Sequence, residues 1–118
     1  MNTRWFLVLL MVLIAHGAHA DADGPDHWNV VGVAAGDVLN IRQEPSGTAA
    51  KIGEIPPDGT CVKNLRCVGG LTFEEFTTLS EAEQDEIKKE RPRWCYIEYK
   101  GIKGWVAGRY LREGSCQQ

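Results

Sequence analysis

The stretch at residues 94–111, WCYIEYKGIKGWVAGRYL, decides the fold predicted for this chain. Its first part, residues 94–99, is rich in aromatic and β-branched side chains, which fit a pleated, half-buried surface better than a helix. Lys100-Gly101 then offers a tight reversal, because glycine adopts a positive φ at little cost. Residues 102–106 run back as the second arm of an antiparallel hairpin, and a single helical turn at 107–111 completes the unit.

The N-terminal segment 1–20 has the three-part layout of a secretory signal peptide. Arg4 supplies a positive charge, residues 5–15 form an unbroken apolar run, and Ala18-His19-Ala20 places small residues where a signal peptidase reads them. The alternative, a short membrane anchor, is disfavoured because the run is too short to span a bilayer. We therefore expect cleavage after Ala20, a periplasmic or secreted location and no stable membrane anchor afterwards.

The charge balance argues against nucleic acid as a partner. The chain has 13 basic and 16 acidic residues and a net charge of −3 at neutral pH. Removal of the predicted signal peptide, which contains Arg4, makes the net charge more negative. Lysine and arginine are not concentrated in a basic stripe, so neither a nucleic acid nor an anionic membrane surface is indicated.

The four cysteines all follow the predicted signal peptide: Cys61, Cys67, Cys95 and Cys116. An even number in a small exported domain indicates two disulfides. The alternative, a zinc site, is disfavoured because the chain has no Cys-x-x-Cys pair and only His27 follows residue 20. Three connectivities are possible, and strand parity favours Cys67–Cys95, with Cys61–Cys116 holding a C-terminal tail at 114–118. The sequence predicts no metal and no cofactor.

Short apolar runs alternate with Gly and Pro turns between the signal peptide and the hairpin. Residues 21–27 are interpreted as a flexible leader. Further strands are predicted at residues 28–33, 38–42, 51–55 and 60–67. Ile52 and Ile55 are the residues of the third run expected to point inward. Several short strands separated by such turns are typical of a small, strongly bent sheet or barrel.

Two segments resemble the bacterial SH3 (SH3b) domains. Residues 38–60, VLNIRQEPSGTAAKIGEIPPDGT, are similar to the family's opening, in which a Leu-Asn-Ile/Val-Arg strand leads through a Pro-Ser loop to an Ile-Gly strand and a Pro-x-Gly-Thr turn. Residues 94–111 are similar to its C-terminal half. The resemblance implies a mostly β fold, a small SH3-like β-barrel of five to six short strands over residues 28–113, with one inserted α-helix.

The insertion, residues 71–92, departs from the family, since a plain SH3b domain would have only a few residues of loop there. Ser80 and Glu83 form a capping box that opens a helix over residues 81–90. The aromatic side chains before it must pack either under the helix or in a partner. We therefore name two partner-docking candidates, Phe73 and Phe76.

The sequence does not indicate an enzyme. The thiols are expected to be oxidised and His27 lies in the predicted leader, so a Cys-His hydrolase is not expected, although SH3b domains are often attached to cell-wall hydrolases. Acidic pairs such as Glu74-Glu75 are explained by a solvated helix face.

The resemblance instead implies a non-catalytic module that binds an extended peptide, for exported members a cell-wall peptide. The ligand-binding candidates are three polar residues on and just after the second strand and three aromatics: Asn40, Arg42, Glu44, Tyr96, Trp105 and Tyr110. Arg42 and Glu44 would hold charged termini or carboxylates of the ligand, and the aromatic side chains would stack on it. Alternatively, Trp105 and Tyr110 pack the protein's own core. A second hypothesis is an adaptor that docks on an envelope protein through residues 71–92.

Overall fold

A computed structural model describes residues 24–116 as seven β-strands, two α-helices and one 3-10 turn. The strands are β1 (His27–Val30), β2 (Leu39–Arg42), β3 (Lys51–Ile55), β4 (Val62–Val68), β5 (Trp94–Tyr99), β6 (Ile102–Ala107) and β7 (Leu111–Gly114). The helices, α1 (Phe73–Thr78) and α2 (Glu81–Glu90), lie between β4 and β5, and the 3-10 turn Gly108–Tyr110 links β6 to β7. The predicted signal peptide, residues 1–20, lies outside the described residues.

The seven strands form one antiparallel sheet in the order β3-β2-β6-β5-β4-β1-β7. The prediction of a closed barrel with five to six strands is wrong, because β3 and β7 end the order as two edges and a barrel has none. The unpredicted strand is β7, which pairs with β1 from His27–Gly114 to Val30–Leu111. Its sequence, LREG, has a single apolar residue and therefore no alternation to reveal a strand.

The predicted hairpin is confirmed. β5 and β6 pair without interruption from Trp94 opposite Ala107 to Tyr99 opposite Ile102. Lys100 and Gly101 have φ of 49° and 86°, the positive values that the two central residues of a type I′ turn require. The short turn predicted after the hairpin is the 3-10 turn.

The core lies on one face of the sheet. Its fully buried large side chains are Ile41, Ile55, Ile97, Val62, Val106 and Cys95. Ile55 points inward as predicted, but Ile52 is 43% exposed, so the prediction for Ile52 is wrong. Ile41 lies opposite Gly53 and Arg42 opposite Lys51, which leaves Ile52 without an opposite residue at an irregularity of the edge strand β3.

The predicted leader, residues 21–27, needs correction at its end. His27 is the first residue of β1. Asn64 holds the two residues before His27 in place. Its backbone N–H donates to the Asp26 carbonyl and its Nδ2 donates to the Pro25 carbonyl, both at 2.9 Å. Trp28, the second residue of β1, is 5% exposed and belongs to the core.

The predicted inserted helix is confirmed as α2, with the Ser80–Glu83 capping box in place. A shorter helix, α1, precedes it and begins with a second capping box, Thr72–Glu75. Six residues are too few for a helical period to stand out in the sequence. Neither helix contributes a buried residue or has the length and apolar character needed to cross a bilayer among residues 24–116.

The two helices are held by polar contacts. Gln84 Nε2 donates to the carbonyls of Phe76 and Leu79, both at 3.0 Å. Arg91 pairs with the Glu75 carboxylate. The Thr72 N–H also donates to the Glu75 carboxylate. This hydrogen bond, together with the Arg91 guanidinium, keeps the pKa of the Glu75 carboxyl below its ordinary value.

The two predicted disulfides, Cys67–Cys95 and Cys61–Cys116, are both present. Cys67 lies directly opposite Cys95 in the β4–β5 ladder with a Cα–Cα distance of 3.9 Å. Cys61–Cys116 joins the start of β4 to the residues after β7 across 55 positions of sequence. The second bond therefore ties the residues after the edge strand β7 to the residue before β4, two strands further into the sheet.

Reduction should destabilise this fold strongly. The disulfides span 28 and 55 residues, and each removes enough chain entropy from the unfolded state to be worth about 3–4 kcal/mol. Thermal melts with and without a reducing agent should differ by more than about 10 °C, with mass spectrometry after alkylation confirming reduction. Coincident melts of the oxidised and the fully alkylated protein would contradict this role.

Gly104 of β6 should not tolerate a side chain. A Cβ there would lie 2.5 Å from Ile41 Cγ2 and 2.8 Å from the Arg42 carbonyl oxygen, because β2 crosses β6 closely. Gly104→Ala should lower the free energy of unfolding by about 1–3 kcal/mol or more, measured by urea denaturation. Gly47→Ala is the matched control, since its Cβ would meet no atom within 4 Å. Equal stability of the two variants would refute the close approach of β2 and β6.

Candidate functional site

The sheet face opposite the core carries a row of aromatic and basic side chains. Arg66, Tyr96, Trp105 and Arg42 lie successively opposite one another on β4, β5, β6 and β2. Residues directly opposite in a ladder point to the same face of a sheet. The alternation of β5 thus sends Cys95 into the core and Tyr96 to the outer face.

The aromatics of this row are covered by the protein itself. The rings of Tyr96 and Trp105 have centroids 5.1 Å apart. The Arg66 guanidinium lies 4.7 Å from the Tyr96 ring centroid and 5.2 Å from that of Trp105, and Trp105 is only 9% exposed. These contacts favour the packing alternative for Trp105, although on the outer face and not in the core.

A cleft of about 490 Å³ opens beside β2, between the loop at residues 31–38 and the 3-10 turn. We call it the Asn40 cleft. Its walls bring together three of the six predicted ligand-binding residues, Asn40, Arg42 and Tyr110. They also include three functional candidates that the sequence reasoning missed, Asp37, Trp94 and Arg109. Tyr96, Trp105 and Glu44 do not line it.

Hydrogen bonds and ring contacts fix the walls of the Asn40 cleft. Arg42 Nη1 donates to the Ala49 carbonyl at 2.9 Å, so this side chain ties the loop after β2 to the sheet. The Asp37 carboxylate accepts from the Val38 N–H at 2.8 Å and is exposed. The Arg109 guanidinium lies over the Tyr110 ring at 4.8 Å. The cleft therefore has an acidic group, a basic group and an aromatic wall.

Glu44 lies apart from this arrangement. It is exposed in the loop after β2, where its carbonyl accepts from the Ser46 N–H at 2.8 Å. The missed residue Arg109 lay within the quoted 94–111 stretch. If the short turn after the hairpin directs Tyr110 and Leu111 onto the sheet, the side chain just before them must face solvent. This reasoning could have identified Arg109 from the sequence.

A second cleft of about 700 Å³ separates the insertion from the sheet. We call it the insertion cleft. Its apolar lining comes from Leu71, Pro92, Trp94 and Ala107, and its basic lining from Lys88, Lys89, Arg93 and Arg109. Trp94, Ala107 and Arg109 also line the Asn40 cleft, so the two clefts meet at these residues.

The predicted docking residues Phe73 and Phe76 line neither cleft. They lie on α1 with exposed fractions of 81% and 62%, the two most exposed large apolar side chains among residues 24–116. Because α1 buries no residue, the aromatic side chains do not pack under the insertion. They form a separate apolar surface, which we call the α1 surface.

The described residues offer one group with metal-ligating side chains close together, His27, Cys61 and Cys116. The two cysteines are joined in a disulfide, whereas a cysteine ligand must be a thiolate. This group does not suit a metal while the bond is intact.

One comparison with known proteins identifies a relationship. A family model described as bacterial SH3 domain matches residues 37–112, a span that contains β2 to β6 and most of both clefts. A search of curated proteins and a search of solved structures returned no match. Domains of the matched family are typically binding modules. Because the match covers more than half of the sequence, this chain belongs to the bacterial SH3 domain family.

Proposed function

We propose that this protein is an exported, non-catalytic module that binds an extended peptide, specifically a cell-wall peptide, in the Asn40 cleft. The observation that carries the proposal is the combination of an acidic, a basic and an aromatic wall in one open groove. A peptide offers an amino group, carboxyl groups and a repeating amide backbone, and each has a counterpart there.

Each wall of the cleft has a role in this proposal. The Asp37 carboxylate attracts an amino group and Arg109 attracts a carboxylate, for which a guanidinium is the better-matched cation. The Asn40 amide both donates and accepts, as a peptide backbone requires. Tyr110 and Trp94 provide flat surfaces for the aliphatic parts of the ligand. Arg42 acts on the ligand indirectly, by holding the loop that borders the cleft.

The location and the absence of catalysis are part of the proposal. Two disulfides suit an oxidising compartment, and the layout of residues 1–20 suits export. Both cysteine pairs are oxidised, which removes the thiol nucleophiles from residues 24–116. His27 lies beside the Cys61–Cys116 disulfide and lines neither cleft.

Binding to purified peptidoglycan should depend on the Asn40 cleft. The variant Asp37→Asn/Asn40→Ala should reduce the retained fraction about tenfold, because it removes an attraction and a hydrogen-bonding pair worth roughly 1.4 kcal/mol together. Glu44→Gln removes one acidic charge outside the cleft and should bind like the unaltered protein. Retention that is equal for all three proteins, or absent in the unaltered one, would disprove wall binding through this cleft.

A second candidate function is docking on an envelope protein through the α1 surface. The specific observation in its favour is the 81% and 62% exposure of Phe73 and Phe76 on a helix that buries nothing. Exposed large aromatics are enriched where proteins associate. This reading would make the insertion, and not the sheet, the interaction element.

The α1 surface can be tested separately from the cleft. Phe73→Ala/Phe76→Ala should change the free energy of unfolding by less than about 0.5 kcal/mol, as is usual for exposed positions. If the adaptor function holds, this variant should lose a cross-linked envelope protein that the unaltered protein captures. Ile52→Ala, which truncates another exposed apolar side chain, should retain it. Capture that survives the double substitution would exclude docking by these phenylalanines.

A further inference from the structure

We infer that the insertion cleft continues the Asn40 cleft and binds the carboxylate-bearing part of the same ligand, so that the module recognises an anionic peptide in a fixed direction. This inference rests on the proposed function and extends it from a peptide in general to one with free carboxylates. It also gives the insertion a role in binding.

The first observation is the continuity of the two clefts. Trp94, Ala107 and Arg109 line both, because Trp94 lies directly opposite Ala107 on the outer face of β5 and β6. Arg109 follows on the 3-10 turn. A chain that leaves the Asn40 cleft across Trp94 therefore enters the insertion cleft, and an extended ligand suits such a groove better than a compact one.

The second observation is the charge along this path. Lys88, Lys89 and Arg109 all border the insertion cleft, although the chain as a whole carries a net charge of −3. Lys88 is 3.9 Å from Asp85 and Lys89 is 3.3 Å from Glu86, with lysine side-chain exposures of 58% and 73%. Exposed ion pairs of this kind are weak, so both ammonium groups can turn to a ligand carboxylate.

Arg109 is suited to the junction. Its guanidinium lies over the Tyr110 ring at 4.8 Å, and a guanidinium that rests on a ring through its face still has N–H groups at its edge for a carboxylate. Arg93 has a different role. Its Nη2 donates to the Gly108 carbonyl at 2.9 Å and its Cζ lies 5.1 Å from the Trp28 ring centroid. Arg93 thus shapes the cleft, and burial lowers the pKa of its guanidinium.

The third observation concerns the kind of anion. The floor of the insertion cleft is apolar, with Leu71, Pro92, Trp94 and Ala107, and the Asp37 carboxylate lines the Asn40 cleft but not the insertion cleft. A polyanion would be repelled by that carboxylate and would leave the apolar floor without a partner. A peptide with aliphatic side chains fits both, with its amino group toward Asp37 and its carboxylates toward the two lysines.

The experiment compares one peptide preparation in two charge states. Soluble stem peptides are released from purified peptidoglycan by an amidase, and half of the material is converted to carboxamides with carbodiimide and ammonia. Each is titrated into the ¹⁵N-labelled protein while backbone amides are followed by NMR. The free acids should shift amides of both clefts, and amidation should weaken binding about fivefold to tenfold.

Lysine variants locate the effect. Lys88→Gln/Lys89→Gln should weaken binding of the free acids about fivefold and leave the amidated peptides unaffected. Lys63→Gln/Lys103→Gln removes the same charge from exposed residues that line neither cleft, and should change the affinity less than twofold. Melting curves should be similar for all proteins, since all four lysines are exposed.

The possible results distinguish a failure of the inference from a failure of the proposed function. If both peptide preparations bind the Asn40 cleft equally and the Lys88/Lys89 variant behaves like the unaltered protein, the inference is wrong and the proposed function stands. If the Lys63/Lys103 control weakens binding as much, the attraction is a general charge effect and the inference is also wrong. If neither preparation shifts the amides of the Asn40 cleft, the proposed function itself fails.

Discussion

The register of β5 between β4 and β6 is the constraint on which the rest of this structure depends. Cys95 and Ile97 are fully buried on one side of β5, and the Cys67–Cys95 disulfide fixes the strand against β4. A slip by one residue would exchange the two faces of the strand. It would expose the cysteine and isoleucine and bury Trp94 and Tyr96 in the core.

The clefts follow from that register. Because Cys95 points inward, Trp94 and Tyr96 point outward, where the Tyr96 ring packs at a tilt against that of Trp105 and Trp94 lines both clefts. Gly108 N–H donates to the Arg93 carbonyl at 2.8 Å, which places the 3-10 turn and Arg109 beside Trp94. The two ends of the insertion, Leu71 and Pro92, both line the insertion cleft with Trp94. Lys88 and Lys89 therefore border this cleft, which a short loop between β4 and β5 would not form.

The sequence predicted the family, the hairpin, the α2 helix and both disulfides, because each depends on a local pattern or on strand parity. It missed β7, whose one apolar residue shows no alternation, and the irregularity that exposes Ile52, which only the pairing of β2 with β3 reveals. At the site, Asn40 and Tyr110 were identified from the family pattern. Asp37, Trp94 and Lys88 were not, because three separate segments meet only after the sheet has formed.

Trp94 belongs to both clefts, so its contacts test the central claim most directly. Intermolecular nuclear Overhauser effects should be measured between the Trp94 indole and a cell-wall stem peptide at saturation. The account predicts contacts from aliphatic protons of the peptide to the Trp94 ring, together with contacts to Ala107 on the facing strand. Saturable binding with contacts only to Phe73 and Phe76, and none to Trp94, would contradict it.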